Sequence, residues 1–261
     1  MFWRQKQNTR LECDELKRRR RVGLRDIHLI NSDVMFSLYL IGILAVHFAN
    51  KDKIENVEDA YRMSMLQQGM VFHSLQQPEL CSYHTQHSYH VRSRWDDEAF
   101  KLTLTGLIAR HAILRTVFSL RTARPLQMVL KAGAPDYTVT DLRAFTDSVK
   151  QVQLSEWLAA EKEQPIDLEG LPWRLAVHIL RDDEFVFGMT FHHAILDGWS
   201  NATLVNELLS SYTQALTSGT LPVLDVPPAY THYIALEQKA LAAPANQHYW
   251  RDKFAGARLA W

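Results

Sequence analysis

Residues 184–216, EFVFGMTFHHAILDGWSNATLVNELLSSYTQAL, carry the reading on which the fold rests. The first eight are dense in aromatic, β-branched and other apolar residues, the composition of a buried strand. From Gly198 the period changes. Leu204, Val205, Leu208, Leu209 and Tyr212 fall on one face of a helix, and Ser218-Gly219 supplies its C-terminal stop. Between the two elements stand His192, His193, Ala194, Ile195, Leu196 and Asp197. A histidine is thus expected at the exit of a buried strand, on a rigid support, with a helix N-terminus close by. The partial positive charge of that terminus disfavours imidazolium. A neutral imidazole, whose ordinary pKa is about 6.5, accepts a proton near neutral pH. Plainer readings stand beside this one: a strand-end histidine can be a packed, hydrogen-bonded group, Asp197 is in position to cap the helix, and Gly198 relieves crowding. Neighbours on a strand point to opposite faces, so His192 and His193 make a poor chelating pair and no metal site is expected.

Working outward, WRLAVHIL (173–180) pairs with EFVFGMTF (184–191) as a hairpin across a short polar turn. Residues 96–113 place Phe100, Leu104, Leu107, Ile108 and Ile113 near helical spacing, RTVFSL (115–120) and PLQMVLK (125–131) read as short strands, and 149–162 reads as a helix in which Trp157 is a core residue. The Pro-rich LPVLDVPPAY (221–230) suits a crossover, and 231–254 looks helical. The class is α/β, with a mixed β-sheet flanked by helices.

The composition agrees. The chain has 261 residues, 47% hydrophobic and 22% charged, with a formal net charge of zero. That balance excludes collagen-like, disulfide-scaffold and wholly disordered chains, and a polycation built for nucleic acid. Two cysteines, Cys13 and Cys81, point to a reducing compartment, or at least to no need for staples. Residues 1–25 hold nine Lys or Arg against three acidic residues and read as a solvated basic tail. The apolar stretch 34–48 is 15 residues long, short of the roughly 20 that a spanning helix needs. It reads as a buried or partner-covered helix, with a membrane segment or a mispredicted gene start as alternatives, and residues 1–51 are treated as foreign to the main domain. There is no G-x-S-x-G and no glycine-rich phosphate loop, which argues against a serine hydrolase or a nucleotide-dependent enzyme.

HHAILDGWS (192–200) resembles the HHxxxDG signature of the condensation domains of nonribosomal peptide synthetases. YRMSMLQQGMVFHSL (61–75) resembles the family's opening motif, RHAILRTVF (110–118) its second motif, and YTHYIALEQ (230–238) with QHYWRDKFAG (247–256) the stretch after its first lobe. Arg62 and Met65 stand where that opening motif usually has proline, a change expected to alter the approach to the first helix and not its chemistry. The resemblance implies a chloramphenicol acetyltransferase-like N-terminal lobe over 52–222 and the crossover and start of a second, truncated lobe over 223–261, as a gene fragment or one piece of a split synthetase.

For activity, the resemblance implies amide formation between an acyl or peptidyl thioester on one carrier protein and the amine of an aminoacyl thioester on another. His193 is then the catalytic residue, as base or as positioner of the tetrahedral intermediate. His192 holds the loop by a backbone hydrogen bond and Gly198 gives room to the thioester. Asp197 is structural and pairs with Arg110, or less favourably with Arg115. Gln67 and Gln68 line the tunnel. No cofactor is bound directly: the 4'-phosphopantetheine arms belong to partner carrier proteins. An adenylation domain of the same assembly line and the missing lobe are further partners, with no nucleic acid or membrane, in the cytoplasm. Two alternatives stay open: a non-catalytic carrier-docking lobe, and an HxxxD acyltransferase that uses acyl-CoA.

Overall fold

The computed structural model of this chain describes residues 56–120 and 125–256. The basic segment, the apolar stretch 34–48 and Cys13 lie outside the described residues. In chain order the strands are β1 (Val57–Arg62), β2 (His84–Val91), β3 (Thr116–Ser119), β4 (Leu126–Leu130), β5 (Asp136–Asp141), β6 (Trp173–Arg181) and β7 (Glu184–His192). The helices are α1 (Met65–Gln76), α2 (Asp97–Arg110), α3 (Asp147–Glu163), α4 (Gly198–Ser218), α5 (Tyr230–Ala242) and α6 (Pro244–Phe254).

Local chemistry sets the ends of these elements. Ser64 and Gln67 form a reciprocal capping box at the start of α1, so two otherwise unpaired donors are satisfied at once. Asp96 caps α2 and Asp197 caps α4. Gly219, at φ 68°, ends α4 in the left-handed conformation that a residue without Cβ adopts at little cost. The segment 231–254 is two helices rather than one. Pro244 takes the first turn of α6, where its missing N–H is no loss.

The strands form two sheets. β1, β4 and β3 make a small antiparallel one; β2, β7, β6 and β5 make a larger one, antiparallel except for the parallel β5–β6 pair. Residues 185, 187, 189 and 191 of β7 belong to the main core, which also takes Phe100, Leu104 and Leu107 of α2 and Leu204, Leu208 and Tyr212 of α4. The Tyr212 hydroxyl accepts from the Asp96 amide at 2.8 Å and donates to the Arg94 carbonyl at 2.9 Å. Val186 and Gly188 of β7 face α3: Val186 packs with Leu142, Leu180 and Leu154. The Trp157 ring lies so close over Gly188 that a Cβ there would sit 2.1 Å from it. β7 is therefore covered on both faces, which is why its sequence is an apolar run.

Candidate active site

The buried strand β7 ends at His192, and the loop to α4 begins there. Three consecutive residues are each held from outside the loop, two by α1 and one by the turn before β2. The His192 ring meets Ser74 of α1, with 2.8 Å between Nε2 and Oγ. The His193 amide donates to the Tyr83 carbonyl at 2.8 Å. The Ala194 carbonyl accepts from Gln67 Nε2 at 3.0 Å. Tyr83 lies in a tight turn in which Cys81 (φ 46°) and Tyr83 (φ 63°) are both left-handed without being glycine, a conformation that costs each about 1 kcal/mol or more and persists only where its surroundings impose it.

His192 is only 3% exposed. Its Nδ1 accepts from the Ala194 amide at 3.1 Å, so the ring proton of the neutral form is on Nε2 and is donated to Ser74 Oγ. Ser74 in turn donates to the Ser82 carbonyl at 3.1 Å. The chain of donors thus has one direction. Burial, with the His84 and His193 rings adding to it, lowers the His192 pKa to about 4. At neutral pH this ring is a fixed acceptor inside the loop. His193 is exposed. Its ring lies close enough to Asp197 and to His192 to act electrostatically on both.

Asp197 caps α4, accepting from the Ser200 amide at 2.7 Å. The bonds from Ser200 hold its carboxyl below the usual range. Among the described residues it makes no ion pair with an arginine, so the pairing expected with Arg110 is corrected. Arg110 instead pairs with Glu207 of α4 and donates from Nε to the Asp225 carbonyl at 2.9 Å. Arg115 is taken by Glu58 and by the carbonyls of Leu130 and Ile108. The Glu207 carboxyl also meets His111 at 2.9 Å. Burial pulls it up, but the bonds from Arg110 and His111 outweigh that and leave it below its usual range. A Cβ at Gly198 would meet nothing within 4 Å, so the start of α4 is open to an incoming group. Trp199 beside it is 84% exposed.

The expectation that Gln67 offers a polar contact in a tunnel is also corrected. Gln67 is 2% exposed. Its Oε1 accepts from the Ser64 amide and from Gln127 Nε2, and its Nε2 donates to Gln127 Oε1 and to Ala194. No polar atom is left for a substrate. Gln68 is exposed and donates to the Met63 carbonyl. Ser74, Tyr83, Gln127 and Glu207 were not anticipated as site residues. For Ser74 a signal was present, since it lies seven residues, or two helical turns, after Gln67. A cavity of about 210 Å³ is lined by Ser74, Cys81, Ser82, His84 and His192, and not by His193. Met65 donates its amide to the Glu237 carboxylate at 3.1 Å, which a proline at that position could not do, and this bond ties α5 to the start of α1. No group of three or more His, Cys, Asp or Glu among the described residues has metal-binding geometry.

Comparison with known proteins shows the family and the fold. The family model of the Condensation domain matches residues 57–260. The AMB antimetabolite synthetase AmbE of Pseudomonas aeruginosa is 36% identical over 209 residues, 78% of this chain and 10% of that protein. Tyrocidine synthase 2 of Brevibacillus parabrevis is 30% identical over 201 residues, 76% of this chain and 6% of that protein. Among solved structures, the starter condensation domain of rhizomide synthetase RzmA superimposes with a TM-score of 0.66 at 18% identity, covering 78% of this chain and 52% of that one. This chain therefore spans about half of such a domain and a tenth or less of these curated synthetases. With its histidine loop, its mixed sheet and a family match over most of its length, the chain belongs to the condensation-domain family of nonribosomal peptide synthetases.

Proposed function

We propose that this chain is the histidine-bearing lobe of an amide-forming condensation domain, ending near residue 222, with 223–256 leading into the second lobe. The observation that carries the reading is the His192–Asp197 loop. It presents an exposed His193 at the end of a rigid buried strand, next to open space at Gly198. In the reaction, the α-amine of a carrier-bound aminoacyl group attacks the carbonyl of a carrier-bound acyl or peptidyl thioester. The N–C bond forms, the C–S bond breaks, and the phosphopantetheine sulfur leaves as a thiol with the proton shed by the amine. A free α-amine has a pKa of about 8 and is mostly protonated at pH 7. His193 takes that proton or holds the intermediate by a hydrogen bond, help worth about 10²–10⁴-fold. Delivery of both substrates on tethered arms raises their effective concentration further.

Carrier proteins, an adenylation domain and a second lobe are the partners that follow from this reading. A cytoplasmic location goes with it, and no helix among the described residues is long and apolar enough to cross a membrane. The test combines the chain with the second lobe of a condensation domain and two loaded carriers, offering the donor on a carrier or on CoA. Amide product with the carrier-borne donor, lost by at least 100-fold in His193→Ala, is expected. Carrier binding without turnover would instead make it a docking lobe, and preference for the CoA donor would make it a soluble-substrate acyltransferase.

A further inference from the structure

The loop that carries His193 has one backbone turn of its own, in which the Ile195 amide donates to the His192 carbonyl at 3.1 Å, and three successive residues in it are also pinned from outside. Two of the pins come from one helix. Gln67 and Ser74 are both on α1, two turns apart on the same side. One reaches the carbonyl just after His193 and the other the ring just before it. Both are anchored in turn. Gln67 exchanges amide hydrogen bonds with Gln127 of β4, whose Nε2 also donates to the Arg62 carbonyl at the end of β1. Ser74 donates to the Ser82 carbonyl, inside the same left-handed turn whose Tyr83 carbonyl holds the His193 amide. The small sheet, α1 and the Cys81–Tyr83 turn therefore all bear on a loop rooted in the large sheet.

We propose that α1 is the splint of the catalytic loop, and that Gln67 and Ser74 are positioning residues that fix the aim of His193 through Ala194 and His192. The assignment rests on His193 being the reacting group. Neither has a donor left for a substrate: both are already committed to the loop and to their anchors. A displacement of His193 by an ångström is enough to lose much of a positioned proton transfer. Gln67 of the opening motif thus contributes stiffness where a polar tunnel contact was expected.

The test reads amide hydrogen exchange in the full chain. Gln67→Leu can no longer donate to Ala194. Exchange at His193 and Ile195 is expected to rise at least tenfold beyond any rise at Val177 and Phe187, which report global stability from the buried centre of the sheet. Gln151→Leu, the same exchange of side chains at an exposed position of α3, moves none of the four. Should Gln67→Leu fail to fold, Ser74→Ala is the milder change, and it raises exchange at the Ala194 amide that donates to His192. A rise at His193 and Ile195 merely equal to that at Val177 and Phe187 would make both residues ordinary core and overturn the proposal. In the two-lobe assay, the folded variants lose at least tenfold in kcat with KM for each carrier unchanged. Loss confined to KM overturns it as well. If the unsubstituted chain makes no amide, the functional reading fails while the exchange measurement still decides whether α1 holds the loop.

Discussion

Acidification should destabilise the fold through His192. The native loop needs that ring neutral, because its Nδ1 receives the Ala194 amide proton and an imidazolium would set two donors against each other. Its folded-state pKa is about 4, against an unfolded value of 6.5, mainly because burial disfavours the charged form. Above pH 6.5 the ring is neutral in both states and contributes no pH dependence. Between 6.5 and 4 the unfolded chain takes up the proton first, so stability is lost as the pH falls through that window. Below 4 both states are protonated and the loss levels off. The full difference is about 3 kcal/mol, of which about 1 kcal/mol is already lost at pH 5.5. His84 and His178 act in the same direction, both lowered first by burial.

The assay is urea unfolding of the wild type and of His192→Gln at pH 7.5, 5.5 and 4.5, with the ring titrated in parallel by NMR. Comparing the two proteins isolates His192 from the other histidines and from the carboxylates, which titrate alike in both. The wild type should lose about 1 kcal/mol more than the variant by pH 5.5, with the ring proton found on Nε2 at neutral pH. Parallel losses in the two proteins, or a His192 ring that titrates at 6.5 or above, would refute the argument.

Two further changes separate packing from charge. Gly188→Ala puts a Cβ about 2.1 and 2.5 Å from two carbons of the Trp157 ring; overpacking of this kind costs about 2 kcal/mol, and Trp157→Leu in the same protein should recover part of it, giving a non-additive cycle by thermal melting. Asp197→Ala should cost about 1 kcal/mol, the value of a helix cap; a loss of about 3–5 kcal/mol, as for one side of a buried ion pair, would reinstate an arginine partner.

Much of the fold was legible in advance because its signals are local. The helices of 97–110, 147–163 and 198–218 and the hairpin of β6 and β7 fall within a few residues of where periodicity puts them. The stop at Gly219 follows from one residue type. β2 was not legible. Its sequence, HTQHSYHV, holds three histidines and little apolar alternation, and it is a strand because it lies antiparallel against β7 over eight residues. Nor could the left-handed turn at Cys81 and Tyr83 be foreseen, since neither is the glycine or asparagine that such geometry favours. The histidine loop was legible as a motif, whereas the residues that hold it, Gln67, Ser74 and Tyr83, lie more than 100 positions away along the chain.

The reassignment of Arg110 follows from the same helix that the sequence located correctly. Asp197 caps α4 and Glu207 stands ten residues further along it, so the two carboxylates are about 15 Å apart along the axis. One guanidinium cannot serve both. The Asp197 carboxylate is exposed and already receives the Ser200 amide at a helix N-terminus, where negative charge is favoured without a cation. It has little desolvation to offset and needs no arginine. Glu207 is mostly buried against α2, and a carboxylate there does need one. Arg110, in the last turn of α2, is set where a cation is favoured by that helix as well. Its second bond, to the Asp225 carbonyl, extends the same tie to the irregular segment after α4. The arginine of the second motif therefore ties the middle of α4 to α2 and to the crossover, and on the positioning proposed above the aim of His193 is left to α1 and the Cys81–Tyr83 turn.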